Sequence, residues 1–66
     1  MKNYVREQRV KKNITQEELA TIMNVSRQTI NAIETNRYLP SIILALKLSR
    51  FFELNVNDLF VLEDEI

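Results

Sequence analysis

The sequence predicts an all-α fold: a compact domain of five helices spanning residues 1–66. Three observations carry that expectation. Apolar residues recur at three- and four-residue spacing through most of the chain, and Thr, Ser and Asn precede those runs at cap positions. The chain also has no internal repeat, low-complexity run or linker that would divide its 66 residues. Helix one is expected from about residue 3 to residue 12, with Val5 and Arg9 on its inner face. Thr15 with Glu18 three residues on has capping-box spacing, so helix two begins at Gln16 and buries Leu19, Ala20 and Met23. Ser26 caps helix three, which turns Ile30 and Ile33 inward and meets helix two at a tight bend. The only proline sets Leu39-Pro40-Ser41 extended, and Ser41 caps helix four through Phe52. A short fifth helix starts after Asn55, with Asp58 completing a looser box, and carries Leu59, Phe60, Val61 and Leu62.

The chain has no Gly, although the residue after a helix commonly takes the left-handed conformation that Gly accepts best. Asn is the usual substitute. Asn13, Asn24 and Asn36 each fall just past an expected helix end, so they are assigned to that role. Helix four is apolar nearly all round. Ile42, Ile43, Leu44, Ala45, Leu46, Leu48, Phe51 and Phe52 leave only Lys47, Ser49 and Arg50 as polar breaks. Such a helix is either central to a core or shared with a partner.

Composition excludes several functions. Without Cys or His there is no disulfide framework, no thiolate or imidazole metal site, and no side chain that ordinarily titrates near neutrality. Without Gly there is no Walker phosphate loop or dinucleotide fingerprint. Paired carboxylates suited to catalysis are also missing: Glu17 and Glu18 diverge by about 100° around their helix, and Glu63, Asp64 and Glu65 sit in a tail. The expectation is a non-enzymatic, cofactor-free and metal-free binding module, with no small-molecule ligand evident. No apolar run approaches the roughly 18 residues of a membrane span, and no signal pattern opens the chain, so a cytoplasmic location is expected.

Nine basic and nine acidic residues cancel, but they are segregated. Residues 1–50 hold all nine cations against Glu7, Glu17, Glu18 and Glu34, a net of +5; the last sixteen hold only the acids Glu53, Asp58, Glu63, Asp64 and Glu65, a net of −5. This polarity would turn the acidic end away from a polyanion, or it is simply a solvated tail. Near its start helix three leaves Arg27, Gln28, Thr29 and Asn31 outward. Long hydrogen-bonding side chains on such a ridge suit the major groove of DNA, where Arg pairs with guanine O6/N7 and Gln or Asn with adenine N6/N7.

These motifs resemble the Cro-type, lambda-repressor-like helix-turn-helix regulators, also called the XRE family. The similarity covers almost the whole chain. It is most specific in Ile14-Thr15-Gln16-Glu17-Glu18-Leu19-Ala20, Val25-Ser26-Arg27-Gln28-Thr29-Ile30, Ile33-Glu34 and Pro40-Ser41. The resemblance implies a helix-turn-helix over about residues 16–34 and a recognition helix beginning at Ser26. It also implies a homodimer on a two-fold symmetric operator in double-stranded DNA. By position, Gln16 would hold a phosphate at the start of helix two, and Arg27 and Gln28 would read base edges. Ser26, Thr29 and Asn31 would contact phosphates or bases, while Asn36 and Arg37 would grip the backbone. Arg9 and Glu34 fall where the family often has a buried ion pair; otherwise they are two surface charges. The hydroxyl of Tyr38 would bond a phosphate, or its ring would cover Pro40.

The chain departs from the family by placing Asn at three positions where Gly is general. It also has Gln8 where an apolar residue is common, which would loosen the seam of helix one. The leading functional expectation is a sequence-specific transcriptional regulator that acts as a repressor. Dimerisation is expected through residues 41–66, using Ile43, Phe51, Leu59, Phe60, Val61 and Leu62. A protein-interaction module that covers a partner with helix four is the second expectation.

Overall fold

In a computed structural model that describes residues 1–63, the chain forms five helices, and α2, α3 and α4 of these start where the N-cap side chains of Thr15, Ser26 and Ser41 accept from a first-turn backbone donor. In chain order the elements are β1 (Lys2–Asn3), α1 (Val5–Lys11), α2 (Gln16–Met23), α3 (Arg27–Glu34), α4 (Ile42–Phe52), α5 (Val56–Leu59) and β2 (Phe60–Val61). The capping box of α2 is closed in both directions. The Glu18 N–H donates to Thr15 Oγ1 at 3.0 Å and the Thr15 N–H donates to Glu18 Oε1 at 2.8 Å. Ser26 Oγ accepts from the Thr29 N–H, and Ser41 Oγ from the Leu44 N–H, both at 3.1 Å. Removing one such cap costs about 1 kcal/mol.

The helix ends explain the asparagines. Asn13, Asn24 and Asn36 take φ of 57°, 59° and 60°, the left-handed values expected of them. After each, the next N–H reaches back five residues: Ile14 to the Arg9 carbonyl, Val25 to that of Ala20, and Arg37 to that of Ala32. Carbonyls that the helix leaves orphaned are thereby satisfied. A fourth end follows the same pattern at Glu53, whose φ is 57° and whose successor Leu54 bonds the Ser49 carbonyl. Nothing about a glutamate announces that role.

Val5, Leu19, Ala20, Met23, Ile30, Ile33, Leu44, Leu48, Phe52 and Leu59 form one core cluster to which all five helices contribute. Burying each large side chain stabilises the fold by about 1.5–3 kcal/mol. On α4 only one face enters this core, through Leu44, Ala45, Leu48, Ser49 and Phe52. Ile42 and Ile43 remain 69% exposed and Leu46 51% exposed. Phe51 is half-buried against the core, edge-on to Phe52 at 5.1 Å between ring centroids.

Four expectations are corrected. Helix one starts at Val5 rather than near Asn3, because the Asn3 side chain is committed elsewhere. Its Oδ1 accepts the Val5 N–H at 3.2 Å, and its Nδ2 donates to the Ile33 carbonyl at 2.9 Å and to Asn36 Oδ1 at 3.0 Å. The fold is not purely helical either: β1 and β2 pair antiparallel, Lys2 opposite Val61 and Asn3 opposite Phe60. Helix five therefore ends at Leu59, and Phe60 and Val61 leave it for the strand, with the Tyr4 N–H bonded to the Leu59 carbonyl at 3.0 Å. Asn55 makes no side-chain bond to the backbone of α5; its Nδ2 meets Asp58 Oδ2 at 3.4 Å instead. Asp64 and Glu65, counted in the acidic tail, lie outside the described residues.

Candidate nucleic-acid interface

The bend between α2 and α3 is set by three residues. Asn24 turns left-handed, Val25 packs against the core, and Ser26 starts the next helix. From α4, Lys47 Nζ donates to the Met23 carbonyl at 3.1 Å, placing a cation at the C-terminal end of α2 where the helix dipole favours it. In the sequence Lys47 reads only as a polar break. A cation set between Leu46 and Leu48 is the signal in the sequence for a specific partner.

With Ile30 and Ile33 fully buried, the opposite side of α3 is forced outward. Arg27 and Gln28 are exposed in its first turn, and their side chains make no hydrogen bond to another described residue. They line one open depression with Gln16, Asn31, Ala32 and Arg37. Ala32 was not foreseen there; it is the one apolar residue of the lining. Five of the nine residues assigned to nucleic acid are thus gathered in one place from α2, α3 and the loop after α3.

The other four stand apart from that depression. Ser26 and Thr29 share a hydrogen bond between hydroxyls at 2.9 Å as part of the cap. Asn36 Oδ1 accepts from Asn3. Tyr38 is 47% exposed and lines a second depression with Asn24, Thr29, Ser41 and Lys47, on the side of the α2–α3 turn. Arg37 Nε donates to Thr35 Oγ1 at 3.1 Å, and its two terminal nitrogens make no hydrogen bond to another described residue.

Behind α3, Arg9 and Glu34 are paired. Arg9 Nε donates to Glu34 Oε2 at 2.8 Å and its Nη2 to Oε1 at 3.3 Å, with side chains only 12% and 2% exposed. Arg9 Nη1 also donates to the Ile14 carbonyl at 2.8 Å, so one guanidinium joins α1, the loop before α2, and α3. Gln16 completes the set, its Nε2 donating to Glu34 Oε1 at 3.0 Å and to Asn31 Oδ1 at 3.1 Å. These bonds fix the tilt of α3 against α1 and α2.

Of the residues assigned to dimerisation, Leu59 is fully buried within the subunit and cannot also face a second copy. Ile43 and Leu62 are exposed, while Phe51, Phe60 and Val61 are half-buried. Phe60 borders an apolar depression with Met1, Leu39, Pro40, Ile42, Ala45 and Val56. Leu39 and Ile42, 63% and 69% exposed, were missing from the expected set.

The helix-turn-helix family profile matches residues 5–59, from the start of α1 to the end of α5. The chain belongs to the XRE-type helix-turn-helix family. Relatives agree along the full length. An uncharacterized HTH-type transcriptional regulator of Methanocaldococcus jannaschii is 48% identical over 65 residues, covering 98% of both chains. A second, from Bacillus subtilis, is 45% identical over 65 residues with the same coverage of both. A third, from Archaeoglobus fulgidus, is 45% identical over 98% of this chain and 93% of its own. For this helix-turn-helix protein no helix among the described residues is long and apolar enough to cross a membrane.

Proposed function

We propose that this protein is a sequence-specific DNA-binding transcriptional regulator, acting as a repressor that occupies a two-fold symmetric operator as a homodimer. The observation that supports this best is the first turn of α3. Arg27 and Gln28 stand exposed beside Arg37 and Asn31 on one open surface, with their hydrogen-bonding groups unspent. Arg and Gln are the side chains that pair with guanine and adenine edges. Arg37 at the rim suits a phosphate. The net charge of +5 over residues 1–50 favours the same polyanion.

Self-association is supported by the exposed Leu39 and Ile42, which together with Phe60 line one apolar depression at the start of α4. One α3 reads only a few base pairs, so two copies are needed for specific binding. Occupying a promoter blocks transcription by itself, which requires only a DNA-reading surface and a self-association surface. A mobility shift over a range of salt tests the reading. Affinity should fall linearly on logarithmic axes, with a slope of about −0.9 for each phosphate neutralised. Binding that is absent, or indifferent to salt, contradicts it.

A further inference from the structure

Arg9, Glu34, Gln16 and Asn31 form an unbroken chain of hydrogen bonds from the interior to the outer side of α3. Each link fixes the sense of the next. A guanidinium has only donors and a carboxylate only acceptors, so Gln16 must turn its amide nitrogen, not its oxygen, toward Glu34. That nitrogen carries two hydrogens. The second meets Asn31 at 3.1 Å, and Asn31 must answer with its oxygen. The amide nitrogen of Asn31 is then the group left to face outward, in the depression that Arg27 and Gln28 also line.

We infer that Gln16 is a positioning residue that locks the Asn31 amide with its Nδ2 donors toward the groove. The base under Asn31 is then read as a hydrogen-bond acceptor: N7 or O6 of guanine, N7 of adenine, or O4 of thymine. A cytosine there, whose major-groove edge offers only the N4 amino donor, is refused. An unheld asparagine can rotate its amide by half a turn and present either group. Bound to Gln16, it has one choice. Specificity at that base pair therefore originates in the Arg9–Glu34 pair, which touches no DNA.

The same bonds revise the role expected of Gln16. Both hydrogens of its Nε2 are spent inside the subunit, on Glu34 and Asn31, so the side chain has no donor left for a phosphate. An anion at the start of α2 would be met by backbone N–H groups.

The inference rests on the DNA-binding reading above, and one experiment separates the two. Bound fragments are selected from random duplex DNA with the wild-type chain and with Gln16→Met, Asn31→Ala and Asn31→Asp, each first checked for a helical spectrum and cooperative melting. The base pair under Asn31 is the one whose preference disappears in Asn31→Ala. There the wild type should deplete cytosine about ten-fold. Gln16→Met should reduce that depletion to about two-fold or less, while preferences opposite Arg27 and Gln28 persist. Asn31→Asp, which keeps an acceptor for Gln16 but has no donor, should favour cytosine. Two results would overturn the inference alone: a Gln16→Met chain that binds every sequence uniformly more weakly with a shallower salt slope, or an Asn31→Asp chain with wild-type preferences. A wild-type chain that enriches no sequence removes the DNA-reading surface itself.

Discussion

Replacing Glu34 by Ala should damage the fold as much as truncating a large core side chain. The carboxylate is 2% exposed and accepts from Arg9 at 2.8 and 3.3 Å and from Gln16 at 3.0 Å. Its loss strands a guanidinium that is itself only 12% exposed and takes away one acceptor of Gln16. Removing one partner of a buried pair costs about 3–5 kcal/mol. A chain of 66 residues has about 3–10 kcal/mol in total, so the variant sits at the edge of unfolding. At about 4–8 °C per kcal/mol for a domain of this size, melting should fall by more than about 12 °C. Replacing both Arg9 and Glu34 by Met removes the two charges together and should leave stability within about 2 kcal/mol of wild type. Urea unfolding followed by circular dichroism gives both values, at several protein concentrations because association adds to stability. A Glu34→Ala chain within about 0.5 kcal/mol of wild type, with Arg9→Ala additive to it, would refute the reasoning.

Arg27→Ala and Gln28→Ala should each lose about 1–3 kcal/mol of discrimination per half-site in competition binding, with melting unchanged. Arg37→Ala should weaken all sequences alike and flatten the salt slope by about one unit in the same titrations. Ile42→Glu should leave a folded monomer by sedimentation at micromolar concentration, with melting that no longer depends on concentration. Glu53→Gly should raise stability by about 1 kcal/mol in urea, because the left-handed backbone at φ 57° is strained for glutamate and free for glycine.

Features settled within four or five residues were legible in the sequence. The capping box at Thr15, the caps at Ser26 and Ser41, and the left-handed turns at Asn13, Asn24 and Asn36 each depend on a short local pattern. Features settled across the chain were not. The strand pairing of Lys2–Asn3 with Phe60–Val61 is two residues long, too short to leave an alternating pattern. Asn3 reads as a helix opener until α3 is beside it, offering the Ile33 carbonyl. Leu59 looks like surplus apolar surface because the end of a four-residue helix does not reveal which side is covered. Within the candidate site, the outward position of Arg27 and Gln28 follows from the inward positions of Ile30 and Ile33. The engagement of Gln16 required Asn31 and Glu34, fifteen and eighteen residues away, to be brought to it by the fold.

Selection of bound fragments from random DNA by the unmodified chain tests most directly whether α3 reads DNA from a two-fold dimer. The expected result is a palindromic consensus whose half-site centres lie about 10 base pairs apart, one turn of the duplex. A consensus without two-fold symmetry, or no enrichment over the starting pool, would contradict it.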